Sequence, residues 1–196
     1  MCIRDSASPE GLFLPETYLI QSGDTDLDVL VRARAAMQNA LMDAWSARTE
    51  NLPLTEPYEA LILASIVEKE TGVASERPEI AGVFARRLAL GMRLQTDPTV
   101  IYGLGAEFDG NLTRRHLRDD NNPFNTYRIA GLPPTPIALP GKEAIMASLN
   151  PTDGEALYFV AKGDGSHAFS RTLSEHEENV RRYQLKRRKD YRSSPK

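Results

Sequence analysis

The hydrophobic positions of the first half of the chain recur at helical spacing in three separate stretches. The first stretch, residues 27–47, carries an apolar stripe that we expect to face the core: Leu30, Ala33, Met37, Leu41 and Trp45. Thr25 and Asp28 at its start resemble a capping box, with Asp in place of the usual Glu or Gln. A second helix is predicted from about Tyr58 to Thr71. A third is predicted from near Pro78, with Gly91 as its stop.

This helical periodicity disappears between Arg93 and Pro140, a segment rich in Gly, Pro, Asn and Thr. Only two short helices are predicted inside it, at Thr99–Gly103 and Thr113–Leu117. Long irregular segments of compact domains are usually functional or disordered, and the embedded aromatic and aliphatic residues favour a packed, functional segment. A further short helix is predicted over Lys142–Leu149.

The last part of the chain changes from helical to strand periodicity. Ala156–Ala161 is predicted to be a strand, and His167–Arg171 is predicted to return as its antiparallel partner after a glycine-rich turn. Ser174 with Glu177 then forms a predicted capping box for a final helix that runs to about Arg188. The order of elements predicts an α+β fold with a helical N-terminal half, a loop-rich middle, and a C-terminal β-hairpin and helix.

Composition narrows the class of protein without identifying a function. The 196 residues are 41% hydrophobic and 26% charged, with a net charge of −3, which is typical of a globular domain with no general attraction to nucleic acid. The single cysteine, Cys2, excludes an intrachain disulfide, and the three histidines form no metal-ligand motif. We expect residues 1–9 to be a stray leader, residues 10–190 to form one domain, and residues 191–196 to be a disordered basic tail.

The most informative local feature is a nearly apolar helix that ends in two carboxylates, Glu68 and Glu70. At about 100° per residue, Glu70 falls on the face with the bulkier apolar side chains, and Glu68 falls on the opposite face. The two faces consist of Leu63, Ile66 and Val67 and of Leu61, Ala64 and Ser65, respectively. Burial of Glu70 would raise its pKa, as a general acid at neutral pH requires. On this argument alone, a solvated or paired carboxylate is the more common explanation.

Two loops of the middle segment combine hydrogen-bonding side chains with proline and aromatic residues. The candidate substrate-binding residues in these loops are Gln95, Thr96, Asp97, Asn125, Thr126 and Tyr127. Amide and hydroxyl groups that alternate with aromatic rings suit a sugar, because the polar groups bond its hydroxyls and the rings cover its apolar face. Each loop, taken alone, is also explained as a turn that its own Asn or Thr satisfies. Nucleophile-elbow, phosphate-binding and RNA-binding signatures are absent from the sequence.

Several motifs, in order along the chain, resemble the endolytic murein transglycosylases of the MltG (YceG-like) family. They are Glu10–Tyr18, Leu63–Thr71, Gly91–Gly103, Phe124–Tyr127, Gly131–Pro134, Pro140-Gly141 and Leu157–Val160. The resemblance runs from about residue 10 to about residue 183. The Gly91–Gly103 block, Gly-Met-Arg-Leu-Gln-Thr-Asp-Pro-Thr-Val-Ile-Tyr-Gly, is the most specific of these motifs.

The resemblance implies that Glu70, the second glutamate of Glu-Lys-Glu-Thr, is the catalytic residue, working without a metal or cofactor. It implies cleavage of the β-1,4 bond between N-acetylmuramic acid and N-acetylglucosamine in peptidoglycan, with a 1,6-anhydro product. In this hypothesis Gln95, Asn125 and Tyr127 hold the sugar, and Asp97 polarises a hydroxyl or supports charge at C1.

The resemblance also bears on location and partners. Family members carry an N-terminal membrane anchor and a LysM-like module, neither of which is found in this sequence, so we expect an isolated catalytic portion. The full-length protein is expected at the periplasmic face of the bacterial inner membrane, with glycan strands as substrate and cell-wall synthases as partners. Nucleic acid is not an expected partner.

Two other functions remain open from the sequence. The first is a hydrolase with Glu70 as acid and Asp97 or Glu76 as base, since ordinary glycosidases use two carboxylates. The second is a peptidoglycan-binding module without catalytic activity. The two differ from a transglycosylase in their products, because hydrolysis adds water and binding creates no new chain ends.

Overall fold

A computed structural model describes residues 8–185 of the chain. These residues form an α+β fold of seven α-helices and one two-stranded antiparallel sheet. The helices are α1 Asp26–Ser46, α2 Pro57–Glu70, α3 Arg77–Ala89, α4 Asp97–Leu104, α5 Arg114–Leu117, α6 Lys142–Leu149 and α7 Leu173–Val180, and the strands are β1 Tyr158–Ala161 and β2 His167–Ser170. The predicted fold class is therefore confirmed. Within the described residues, no helix is both long enough and apolar enough to cross a membrane.

Helix α2 lies at the centre of the core and is buried on all sides. Every residue from 60 to 67 is buried, and the helix packs against α1, α3, α4 and α6. Pro57 occupies the first turn, where its missing N–H leaves no intrahelical hydrogen bond unmade. After Glu70 the backbone becomes extended at Thr71, which ends the helix. The burial of α2 makes its C-terminal end a rigid support for the side chains that follow.

Helix α1 covers one side of this core. Its capping box is confirmed, since the Thr25 hydroxyl accepts from the Asp28 N–H and the Asp28 carboxylate accepts from the Thr25 N–H. The predicted apolar stripe is only partly correct, because burial begins at Ala33. Leu30 is 46% exposed, since the first two turns of α1 extend beyond the core that α2 and α6 form.

Charged side chains join the end of α2 to the starts of α3 and α6. Arg77, the first residue of α3, pairs with Glu143 of α6 and lies 3.9 Å from the carboxylate of Glu68. Glu68 also accepts a hydrogen bond of 3.1 Å from the Gly141 N–H, at the N-terminus of α6. A negative charge there is favourable because the first turn of a helix presents unpaired N–H groups. Glu68 therefore has a structural role.

The middle segment is irregular, as predicted, and its two short helices correspond to α4 and α5. Asn122 is buried; its amide donates to the Val100 carbonyl and its side-chain oxygen accepts from the Phe124 N–H. A β-carbon at Gly103 would lie 2.0 Å from the Asn122 side-chain oxygen, so only glycine fits at this position. Close packing of polar side chains against the backbone thus replaces regular structure here.

The hairpin follows the prediction, with Phe159 opposite Phe169 and Ala161 opposite His167. The predicted cap of the final helix is wrong. Thr172 is the N-cap; its hydroxyl accepts from the Glu175 N–H, and the Glu175 carboxylate accepts from the Thr172 N–H at 3.1 Å.

Three predictions extend outside the described residues. The final helix was predicted to run to Arg188, but the description ends with a π-helical turn at Arg181–Leu185. Most of the predicted leader, residues 1–7, and the whole of the predicted tail, residues 191–196, also lie outside the described residues.

Replacing Ser65 with alanine tests how the middle segment is attached to α2. The buried Ser65 hydroxyl accepts a 3.0 Å hydrogen bond from the Ile137 N–H, which alanine would leave unsatisfied. We expect Ser65→Ala to lower the free energy of unfolding by about 1–3 kcal/mol in urea denaturation. Ser148→Ala is the matched control, because the buried Ser148 hydroxyl has no hydrogen-bond partner among the described residues, and we expect no loss of stability from it. Equal effects of the two substitutions would contradict this role of Ser65.

Candidate active site

A cleft of about 360 Å³ opens where the end of α2 meets the middle segment and the hairpin. The helical part of its lining is Glu70, Arg87, Leu173 and His176; the middle segment adds Leu94, Gln95, Thr96, Asp97 and Tyr127; and the hairpin adds Tyr158, Phe159, Val160, Ala161 and His167. The structure thus brings Glu70 together with four of the six predicted substrate-binding residues. Polar groups dominate one wall, and the strand β1 forms the other.

Glu70 is the last residue of α2, and it lies part-buried in the lining of the cleft. Its pKa is raised from an ordinary value of 4.5 to about 7, mainly by burial and to a lesser extent by the nearby negative charge of Asp97. A hydrogen bond from the Thr96 hydroxyl and the positive charge of Arg87 act in the opposite direction. The result is a carboxyl that exchanges its proton near neutral pH, as acid–base catalysis requires.

The helical face alone does not separate Glu70 from Glu68. The face of α2 that carries Glu68, with Leu61, Ala64 and Ser65, is as fully buried as the face that carries Glu70. What separates the two carboxylates is their surroundings. Glu68 accepts a hydrogen bond from the Gly141 N–H and lies close to the Arg77 guanidinium, as described above, whereas Glu70 faces the cleft.

The loop before α4 places the Thr96 hydroxyl against Glu70. Gln95 has a φ of 52°, in the left-handed region that costs a residue other than glycine about 1 kcal/mol or more. Hydrogen bonds to Thr126 hold this conformation: the Gln95 N–H donates to the Thr126 carbonyl at 3.2 Å, and the Thr96 N–H donates to its hydroxyl at 3.0 Å. The strained backbone therefore directs the Thr96 side chain towards the carboxyl.

Asn125 and Thr126, predicted to bind substrate, lie behind the cleft wall and are fully buried. The Asn125 amide donates to the carbonyls of His116 and Asp119, and the Thr126 hydroxyl bonds the Thr96 loop. We correct their role to that of loop supports, because every polar atom that a sugar would need is already engaged within the fold.

Asp97 and Tyr127 are paired in the lining of the cleft. The Tyr127 hydroxyl donates to the Asp97 carboxylate at 2.7 Å. Burial, together with the negative charge of Asp97, raises the pKa of Tyr127, so the phenol keeps its proton. The pair combines an anionic acceptor and an aromatic ring, which is the chemistry predicted for a sugar subsite.

Arg87 is a cleft residue that the sequence analysis missed. It is only 6% exposed, and its guanidinium donates to the Leu157 carbonyl at 2.7 Å and to the Leu94 carbonyl at 2.6 Å while lying 5.1 Å from the centre of the Tyr158 ring. It thus joins the two walls of the cleft. A signal was present: residue 87 continues the helical spacing of Ile80 and Phe84, so an arginine occupies a core-facing position.

His167 and Glu76 form a second pair, which was not predicted from the sequence. His167 Nδ1 lies 2.7 Å from a Glu76 carboxylate oxygen, and the His167 N–H donates to the other oxygen at 2.9 Å. His167 lines the cleft, whereas Glu76 lies behind it. Their separation of 91 residues gives no local pattern from which this pair could be found.

The family follows from comparison with known proteins. The YceG-like family matches residues 3–182, and the chain therefore belongs to the YceG-like family. It is 35% identical over 174 residues to the endolytic murein transglycosylase of Bacillus subtilis (strain 168), covering 89% of this chain and 48% of that protein. It is 33% identical over 186 residues to the endolytic murein transglycosylase of Streptococcus pneumoniae serotype 2, covering 91% of this chain and 33% of that protein.

A solved structure supports the same conclusion. The crystal structure of a YceG-like protein from Listeria monocytogenes matches with a TM-score of 0.73 and 35% sequence identity, over 86% of this chain and 54% of that chain. The chain thus spans about half or less of the length of the relatives that it matches.

The raised pKa of Glu70 makes the stability of the fold depend on pH. Because the folded-state pKa lies above the unfolded value, the charged carboxylate disfavours folding, and stability falls as pH rises from about 4.5 to about 7. We expect Glu70→Gln to be more stable than the parent at pH 8 by about 1–3 kcal/mol in urea denaturation, with the difference vanishing below pH 4. A difference that is the same at both pH values would contradict the raised pKa.

Replacing Thr96 with valine tests the hydrogen bond that holds the pKa of Glu70 down. Removing a donor to the carboxylate destabilises the ionised form, so we expect the pKa of Glu70 to rise by about one pH unit in an NMR titration of its carboxyl carbon. Thr99→Val is the control, since the Thr99 hydroxyl bonds Thr96 and Thr126 but not Glu70. If the pKa of Glu70 rises more in Thr99→Val than in Thr96→Val, the cause is movement of the loop and not loss of the Thr96 hydrogen bond.

Proposed function

We propose that this chain is a lytic transglycosylase that cuts peptidoglycan glycan strands internally, with Glu70 as its single acid and base. The observation that carries the proposal is a carboxyl of pKa about 7 at the end of a buried helix, facing a cleft with sugar-binding chemistry. Membership of a family whose curated relatives are named endolytic murein transglycosylases supports the substrate class.

The reaction needs one proton to be given and one to be taken. Protonated Glu70 donates to the glycosidic oxygen between N-acetylmuramic acid and N-acetylglucosamine, and the bond from that oxygen to C1 breaks. The resulting carboxylate then removes the proton of the muramoyl C6 hydroxyl, whose oxygen bonds to C1. The strand ends as a 1,6-anhydro sugar, the other product is a free 4-hydroxyl, and no water is consumed.

A pKa near 7 suits both halves of this sequence. Much of the carboxyl is protonated at neutral pH and can act as the acid. Once ionised, it is still basic enough to accept a proton from a hydroxyl in concert with bond formation. The Thr96 hydrogen bond and the charge of Arg87 stabilise the ionised form between the two steps.

The sugar contacts in this proposal come from both walls of the cleft. Gln95, Asp97 and Tyr127 supply polar groups, and Asp97, which lines the same cleft as Glu70, would support positive charge that develops near C1. Tyr158 supplies aromatic surface opposite them, since its ring lies beside the cleft residues Arg87 and His176. Asn125 and Thr126 act indirectly, through the loops that they hold.

A hydrolase is the second candidate, and one observation keeps it in play. Asp97 lines the same cleft as Glu70 and is the available second carboxylate for activating water. Glu76 does not serve this role, because both of its oxygens are bonded to His167. The third candidate, a binding module without activity, does not require a carboxyl of raised pKa.

Cellular context is also a proposal. We infer that the full-length protein acts at the periplasmic face of the bacterial inner membrane, because a peptidoglycan substrate would be met where new glycan strands are made. There it would set strand ends beside cell-wall synthases. Fractionation of cells that express the full-length protein, followed by crosslinking, tests both points.

Replacing Glu70 with glutamine tests the catalytic assignment. Glutamine keeps the shape but cannot donate the proton, so we expect release of fragments from purified sacculi to fall by about 10²–10⁴-fold. Glu68→Gln is the matched control two residues away. It should retain near-parent activity, with a stability loss of about 1 kcal/mol from its weakened contacts.

Mass spectrometry of the products separates the candidate functions. Fragments with 1,6-anhydro ends identify the transglycosylase, and fragments heavier by one water with reducing ends identify the hydrolase. Binding to sacculi that produces no new ends, and that Glu70→Gln leaves unchanged, would identify a binding module and refute the proposal.

A further inference from the structure

The strand β1 presents its edge, and not one of its faces, to the cleft. Four consecutive residues, Tyr158 to Ala161, line the cleft, whereas β2 contributes only His167. Successive side chains of a strand point to opposite faces, so four neighbours can line one cleft only along the strand edge. The cleft therefore follows the edge of β1 that β2 does not pair.

The register of the hairpin shows which backbone groups lie on that edge. The Lys162 N–H donates to the Ser166 carbonyl at 2.8 Å, and antiparallel pairs alternate, so even-numbered residues of β1 direct their N–H and C=O towards β2. Within the strand, the odd-numbered Phe159 and Ala161 direct theirs to the other edge, along the cleft. The Ala161 carbonyl agrees, since it accepts from Gln184 at 3.0 Å. Leu157, just before the strand, departs from the alternation: its N–H donates to the Ser170 carbonyl at 2.9 Å, while its carbonyl accepts from Arg87 at 2.7 Å.

Phe159 lies between these two occupied carbonyls. By this alternation its N–H and its C=O both point away from β2, and within residues 8–185 neither group has a hydrogen bond to a residue outside the sheet. An unpaired N–H and C=O on a strand edge form a ready template for another extended chain. Arg87 and Gln184 already bond the carbonyls of the edge residues on either side. Only one residue of this edge, Phe159, is therefore available to another chain.

We propose that the Phe159 edge binds one residue of an extended peptide, namely the peptide stem carried by the glycan strand in the cleft. This inference rests on the proposed function, because it takes peptidoglycan as the substrate. The stem is attached to the lactyl group of the muramic acid residue. It therefore emerges from the same sugar whose C1 bond Glu70 attacks.

Stereochemistry favours a peptide over the acetamido groups of the sugars. A single trans amide directs its N–H and its C=O to opposite sides, so it can bond only one of the two Phe159 groups. One residue of an extended peptide directs both groups to the same side, at the spacing of a hydrogen-bonded pair. Only the peptide satisfies both edge groups at once.

The proposal predicts that the enzyme prefers strands with peptide stems. The 196-residue chain is assayed on intact strands and on strands whose stems have been removed by an N-acetylmuramoyl-L-alanine amidase. Two hydrogen bonds predict about a tenfold higher kcat/KM for the intact strands. Equal values on both substrates would overturn the inference and leave the proposed function standing. Failure to cut either substrate would instead overturn the proposed function.

A pair of substitutions at Phe159 assigns the preference to the backbone. Proline removes the N–H and is tolerated on an edge strand where that N–H faces outward, so Phe159→Pro should bring the ratio between the two substrates close to one. Phe159→Leu keeps the N–H and should keep the ratio. A proline variant with the full preference would refute the role of this edge.

An NMR titration of the parent chain tests the peptide contact at Phe159 without a substitution. A soluble N-acetylmuramoyl tripeptide should shift the ¹⁵N–¹H signal of Phe159 more than N-acetylmuramic acid alone. Equal shifts from the two probes would refute the peptide contact.

Discussion

Keeping the carboxyl of Glu70 neutral at a pH where an exposed glutamate is ionised is the constraint on which the site depends. The residue ends a helix whose residues 60–67 are all buried, and burial of its own carboxyl, together with the partial negative charge of the helix terminus, opposes an anion there. Thr96 and Arg87 moderate this penalty, so the proton can leave as well as stay. The core thus sets the chemistry of the cleft, because a more exposed α2 would leave an ordinary glutamate.

The fold was largely predictable because helical and strand periodicities report burial directly. Periodicity did not predict two details, the exposure of Leu30 and the residue that caps the final helix. Leu30 fits the apolar spacing of α1 but lies beyond the reach of the elements that could cover it. Two overlapping frames, Thr172 with Glu175 and Ser174 with Glu177, offer the same capping chemistry, and only the end of β2 decides between them.

The candidate site was less predictable, because it depends on distances across the fold. Residue types identified the loops that carry polar groups, but they could not separate a side chain that faces the cleft from one that supports it. Asn125 shows this, since the same amide that suits a sugar also satisfies two backbone carbonyls. His167 depends on a partner 91 residues away. Helical spacing preferred Glu70 over Glu68, although both faces of α2 are buried. The family motif selects the same residue, and its catalytic role stays a prediction.

The guanidinium of Arg87 also bears on how a polymer enters the cleft. It holds a carbonyl from each wall, and such charge-assisted bonds are worth about 1.5–3 kcal/mol each when buried. Separating the walls would break at least one of these bonds, so an open form would be a minor population, on the order of one molecule in ten to one in a hundred. The groove therefore has a preset width. A long strand would be laid into it from the side, at any point along its length, without a gate to open or a free end to thread.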